Sequence, residues 1–145
     1  MRTNGGFQVS KIKQLGDRVF EKILAAHGIE AFNGAQGRIL YVLWQEDGVP
    51  IKTVSEKCGL AITSLTTMLE RMERAELIIR QQDPGDKRKT LLFLTDKAKA
   101  LKEDYDSISD KMSEIFYHGF TEDEIRTFED YLEKIRLNLE GWQPK

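Results

Sequence analysis

Three consecutive cations, Lys87-Arg88-Lys89, follow Asp83-Pro84-Gly85-Asp86. The group stands between two apolar segments, Leu77-Ile78-Ile79 and Leu91-Leu92-Phe93-Leu94. Asp, Pro and Gly form turns, and the flanking runs read as strands. The pattern predicts a β-hairpin with a cationic tip, a shape that suits an anionic target. Ahead of it lie four short hydroxyl side chains, Thr63, Ser64, Thr66 and Thr67, with Arg71 close behind. Among them Leu65, Met68, Leu69 and Met72 recur at the 3-4 spacing of a buried helical stripe. A helix from about Ile62 to Ala75 is predicted, its hydroxyl residues largely on the other side. Such residues weaken a helix interior. Contact with phosphates and base edges gives them a use; a merely solvated face is the alternative. Together the segments read as a winged helix-turn-helix, one helix for the major groove and one basic hairpin for the backbone or minor groove.

Other chemistry is poorly served. His27 and His118 are far apart, each next to a glycine at a predicted helix end, where imidazole is favourable for capping alone. No glycine-rich phosphate loop, CxxC pair or Ser-His-Asp pattern is present. No catalytic residues, no metal site and no cofactor are expected. Cys58, the one cysteine, falls on an apolar stripe, which predicts a buried, inert thiol.

Composition sets the frame. A chain of 145 residues suffices for one domain or two closely joined lobes. No apolar run approaches the ~20 residues that span a bilayer. Met1 to Gly6 has no signal-peptide apolar core, and one cysteine excludes an internal disulfide framework. A cytoplasmic protein with no membrane partner is expected. The net charge of −2 is unevenly spread. Residues 51–90 carry eight basic and six acidic groups, whereas residues 91–145 carry eight and thirteen. Positive excess therefore coincides with the hairpin, and local field rather than net charge governs phosphate binding.

The remaining segments read as supporting helices. Ile12, Leu15, Val19, Phe20 and Ile23 predict a helix over 10–24 that Gly28 stops. Asn33 caps a second, with Ile39, Leu40, Leu43 and Trp44 on its apolar side and an end near Asp47-Gly48. Pro50 opens a short third helix with Val54 and Cys58 facing inward, and Gly59 ends it. Thr95 caps a long helix whose apolar positions are Ala98, Leu101, Tyr105, Ile108, Met112 and Ile115. Thr121-Glu122-Asp123-Glu124 is a capping box for a last helix carrying Ile125, Phe128, Leu132, Ile135 and Leu139. These heptad stripes suit an antiparallel helical pair. A second copy of the chain is the expected cover for them; a bundle with the first helix is the alternative.

With these residues in view, the chain resembles the MarR (multiple antibiotic resistance regulator) family. Asp86-Lys87-Arg88, five residues, then Leu94-Thr95 matches that family's wing pattern, D-x-R, five residues, L-T. Asp83-Pro84, Gly59-Leu60, Leu65, Leu69-Glu70-Arg71-Met72-Glu73, Leu77-Ile78-x-Arg80 and Gln36-x-x-Ile39-Leu40 also fall in place. The resemblance implies a mainly α fold with a small β-hairpin wing. It implies a winged lobe over 33–95 and dimerisation helices over 7–30 and 96–140. It further implies a homodimer that binds double-stranded DNA at pseudo-palindromic operators, commonly as a repressor released by a small lipophilic or phenolic effector. The DNA-binding residues expected on this reading are Thr63, Ser64, Thr66, Thr67, Arg71, Lys87, Arg88 and Lys89, with Asp86 orienting Arg88. A winged-helix module that binds protein rather than DNA is the competing reading. Two departures stand out. Thr67 occupies a position where a cation is frequent. Glu76 replaces the usual glycine, and a left-handed backbone there costs about 1 kcal/mol or more, so the turn is expected to differ locally.

Overall fold

The computed structural model describes residues 1–145. Seven helices and a three-stranded antiparallel sheet follow one another along the chain. Two compact units form, residues 1–110 and residues 111–145.

In the first unit, α1 (Gly5–Ala26) begins five residues earlier than the apolar spacing indicates, with Asn4 ahead of it making no side-chain cap. It stops where Gly28 turns left-handed at φ 67°. His27 supports that end, its Nδ1 lying 2.9 Å from the Ile23 carbonyl. Helix α2 (Gly34–Gln45) opens on a full capping box. Asn33 Oδ1 accepts from the Gln36 N–H at 2.8 Å, and Gln36 Oε1 accepts from the Asn33 N–H at 3.1 Å. Next come β1 (Val49–Pro50) and α3 (Ile51–Cys58). Pro50 serves both as the residue before the helix and as an edge-strand residue, where its missing N–H costs nothing. Gly59 closes α3 at φ 68°.

Helix α4 (Ile62–Arg74) buries Leu65, Leu69 and Met72 completely, while Met68 is only half-buried. It leads into β2 (Ile78–Gln82) and β3 (Thr90–Leu94), which pair antiparallel with Arg80 opposite Leu92 and Ile79 opposite Phe93. The sheet order is β1-β3-β2, so the hairpin is anchored by a third strand through Val49–Leu92 and Pro50–Leu91 pairing. Asp47 Oδ1 accepts from the Leu94 N–H at 2.8 Å and ties the same corner. Ile39, Leu40, Leu43, Val54, Leu77 and Leu92 are fully or almost fully buried and join α2, α3, α4 and the sheet into one core.

The long helix expected from Thr95 is interrupted. Thr95 does cap it, accepting from the Ala98 N–H at 3.2 Å. But α5 (Asp96–Lys99) ends after four residues, and α6 (Lys102–Phe116) starts anew. At the break the Ala98 carbonyl accepts from the Leu101 N–H at 3.1 Å and from Trp44 Nε1–H at 3.1 Å. An indole inserted at a helix carbonyl is a sufficient cause for leaving the i→i−4 ladder. Trp44 also packs its ring 5.1 Å from that of Tyr105, which is ringed by Phe20, Phe32 and Tyr41 at 6.3, 6.1 and 5.9 Å.

In the second unit, α7 (Glu122–Glu140) opens on the capping box predicted at Thr121 and Glu124. Phe116, Tyr117, Phe120 and Phe128 cluster at its start, and the Tyr117 hydroxyl donates to Glu129 at 2.7 Å. Burial and the Glu129 carboxylate push the Tyr117 phenol up to about 12. Beyond the cluster no residue of α7 is buried, and Leu132, Ile135 and Leu139 stand open to solvent.

Candidate nucleic-acid interface

The hydroxyl helix is built to present one side. With Leu65, Leu69 and Met72 inward, Thr63, Ser64, Thr67 and Arg71 are all exposed, as are Glu70 and Arg74. Thr66 is half-buried and differs from its neighbours. Its Oγ1 donates to the Ile62 carbonyl one turn back at 2.8 Å, which occupies its only proton. Ile62 itself is 52% exposed on the first turn, a large apolar residue that the hydroxyl pattern does not bring to notice.

The far end of α4 is closed by a left-handed turn at Glu76, not by the locally different turn expected there. Glu76 adopts φ 59°, so the chain accepts the strained conformation instead of changing the turn. The Leu77 N–H donates to the Met72 carbonyl at 2.9 Å and the Glu76 N–H to the Glu73 carbonyl at 3.0 Å. These are the two bonds of a Schellman cap. Thr95 Oγ1–H donates to the Glu76 carbonyl at 2.6 Å, and Lys97 Nζ donates to the Ala75 carbonyl at 3.0 Å. The satisfied carbonyls offset the cost of a non-glycine residue there. An ion pair also joins α4 to β2: Arg80 Nε lies 2.8 Å from Glu73 Oε1. The guanidinium is not aligned for a hydrogen bond there, so the contact is electrostatic.

The wing tip is two successive turns. Asp83 Oδ1 accepts from the Gly85 N–H at 2.9 Å, and the Asp86 N–H donates to the Asp83 carbonyl at 3.3 Å. The Lys89 N–H then donates to the Asp86 carbonyl at 3.0 Å, and Gln82 Nε2 donates to the Lys87 carbonyl at 2.9 Å. Asp86 takes Arg88 with both oxygens, Nε to Oδ1 at 3.1 Å and Nη2 to Oδ2 at 3.3 Å. The Arg88 side chain remains 91% exposed, and Lys87 and Lys89 are exposed beside it. Hydrogen bonds from the Arg88 side chain and backbone hold the Asp86 carboxyl below its ordinary range. All nine residues singled out by the sequence thus fall on α4 or on the wing tip.

Other groups do less. Cys58 is half-buried with Sγ 3.8 Å from the Arg38 carbonyl, and burial pushes its thiol up, which favours the unreactive protonated form. It borders a cavity of about 370 Å³ that Arg38, Tyr41, Lys57 and Tyr105 also line.

A family model described as MarR family matches residues 32–90, from the residue before the cap of α2 to the first residue of β3. Over this segment, the winged lobe, the chain is similar to the MarR family. The transcriptional regulator TtmR of Methylorubrum extorquens (strain PA1) is 32% identical over 122 residues, 84% of this chain and 60% of that protein. The chain spans 60% and 65% of the length of the first curated relatives it matches. A MarR transcriptional regulator from Methanosarcina mazei Go1 superposes with TM-score 0.80 at 24% identity, covering 92% of this chain and 94% of that one. A mutant MarR from E. coli complexed with operator DNA gives TM-score 0.80 at 23% identity, over 90% and 91% of the two chains. These likenesses establish the MarR winged-helix fold anticipated from the wing motif. No helix is long and apolar enough to cross a membrane.

Proposed function

We propose that this chain is a cytoplasmic, DNA-binding transcriptional repressor of the MarR family that acts as a homodimer. The observation that carries the reading is the pairing of an exposed hydroxyl face on α4 with an exposed, carboxylate-oriented Arg88 at the wing tip. Helix α4 lies in the major groove, where Ser64, Thr66 and Thr67 approach base edges while Thr63 and Arg71 contact the backbone. Short side chains demand close approach, so the helix sits deep. Arg88 enters the adjacent minor groove, whose narrow stretches concentrate negative potential. Lys87 and Lys89 neutralise phosphates on either side. The E. coli neighbour described in complex with operator DNA supports the same use of the same fold.

Two copies bound to one operator follow from the exposed apolar residues of α1 and α7, Ile12 and Leu15 on one and Leu132, Ile135 and Leu139 on the other. A two-fold dimer then requires half-sites about one helical turn apart, on the order of 10 bp. Release by a small phenolic effector is supported by the cavity beside Tyr41 and Tyr105, where two aromatic rings and two cations suit an aryl anion.

The test is a binding-site selection from random duplexes, followed by footprinting on DNA flanking the gene itself. Recovery of a two-fold-related sequence with the stated spacing supports the reading. Recovery of no preferred sequence contradicts it and favours a protein-binding module.

A further inference from the structure

A single exposed isoleucine on an ordinary surface means little. Ile62 is different because of where it stands. It is 52% exposed on the first turn of α4, and Thr66 follows one turn later on the same side of the helix. The Thr66 hydroxyl has turned inward to the Ile62 carbonyl at 2.8 Å, so it has no proton left to donate to a base. Ala61, the residue before the helix, is exposed and makes no side-chain cap bond. At Ile62 and Thr66 the leading half of the helix therefore offers methyl groups beside the exposed hydroxyls of Thr63 and Ser64.

In the major groove, the apolar feature that a base edge presents is the C5-methyl group of thymine. We infer that Ile62, with the Thr66 methyl beside it, reads a thymine methyl in each half-site and so sets sequence preference. The inference rests on the proposal that α4 enters the major groove, and it goes further by naming the base and the atom recognised. Ser64 and Thr67, exposed on the same helix, remain available for hydrogen-bond readout.

The experiment uses the full chain and the duplex that the wild type selects from a random library. Each thymine is replaced in turn by deoxyuridine, which removes the methyl and leaves the base pair intact. One position per half-site is expected to weaken wild-type binding by about fourfold, the value of burying one methyl-sized group. Ile62→Ala is expected to bind the thymine duplex more weakly and to treat thymine and deoxyuridine alike at that position. Thr66→Val, which keeps the methyl and loses the hydroxyl, should preserve the preference for thymine over deoxyuridine, and Thr66→Ala should reduce it. Ile62 is half exposed, so its truncation leaves the core whole, and an unchanged thermal melt checks this. If wild type binds the selected duplex but no deoxyuridine position has an Ile62-dependent effect, methyl reading is overturned while groove binding stands. Equal loss by Thr66→Val and Thr66→Ala also overturns it, because the hydroxyl is then the reader. If wild type prefers no duplex over random DNA, the underlying proposal fails first.

Discussion

Asp86 holds Arg88 with both carboxylate oxygens, at 3.1 and 3.3 Å, and also accepts the Arg88 backbone N–H at 3.1 Å. Two of these bonds fix a side chain that is otherwise 91% exposed, and the third ties its backbone to the same carboxylate. A long, freely rotating arginine loses more entropy on entering a groove than one already aimed. Removing a negative charge beside the wing should strengthen attraction to DNA, and removing the aim should weaken it. The account holds that aim wins. Arg88→Ala is expected to weaken binding to many sequences and to lower the salt slope by about one unit. Asp86→Ala is expected to weaken binding too. Tighter binding by Asp86→Ala, measured by anisotropy titration, would remove the orienting role.

The same contact has a pH signature. Because its folded-state value lies below the ordinary carboxylate range, Asp86 stays ionised as pH falls through that range, and its grip is lost only at still lower pH. Between about pH 5 and 8 the wing contributes no pH dependence to DNA binding. Carboxyl NMR titration should place Asp86 below its ordinary value in the wild type and return it upward in Arg88→Ala. An unchanged titration in the variant would show that the ion pair does not persist in solution.

Glu76 sits left-handed at φ 59° where glycine would be unstrained. Its backbone bonds close the Schellman cap and do not need the side chain. Glu76→Gly is therefore expected to raise stability by about 0.5–1 kcal/mol, the relief of strain exceeding the added freedom of the unfolded chain. Urea unfolding measures it. A loss of stability would mean that the Glu76 carboxylate is held by a contact worth more than the strain.

Large apolar side chains stand open along both ends of the chain. Phe7, Val9, Ile12 and Leu15 are exposed on α1, and Leu132, Ile135, Leu139 and Trp142 on or after α7. On the proposed reading a second copy of the chain covers these stripes. Sedimentation at micromolar concentration should show a dimer that dissociates only on unfolding. A folded monomer under those conditions would contradict the assignment.

Much of this was legible in the residues. The wing motif Asp86-Lys87-Arg88 to Leu94-Thr95 placed the hairpin, and the 65-68-69-72 spacing placed α4 with its buried side correct apart from a half-buried Met68. Asn33 as the cap of α2 was also readable, since a cap is local; the reciprocal bond from Gln36 was not anticipated. What stayed hidden depends on distant partners. The two-residue strand β1 has no periodicity of its own and exists only because β3 pairs with it. At the break between α5 and α6 the Ala98 carbonyl takes a bond from Trp44, 54 residues away. The inward turn of the Thr66 hydroxyl is local, but nothing in composition distinguishes a threonine bonded to its own helix from one that reaches outward.

The most direct measurement of the central claim is equilibrium binding to a random-sequence duplex at low salt, repeated as salt is raised. The account predicts measurable binding that weakens linearly in log–log form, together with at least a thousandfold tighter binding to a selected operator. Arg88→Ala should flatten the slope. No binding to any duplex at low salt would contradict the account, for then neither the α4 face nor the cationic wing tip engages phosphates.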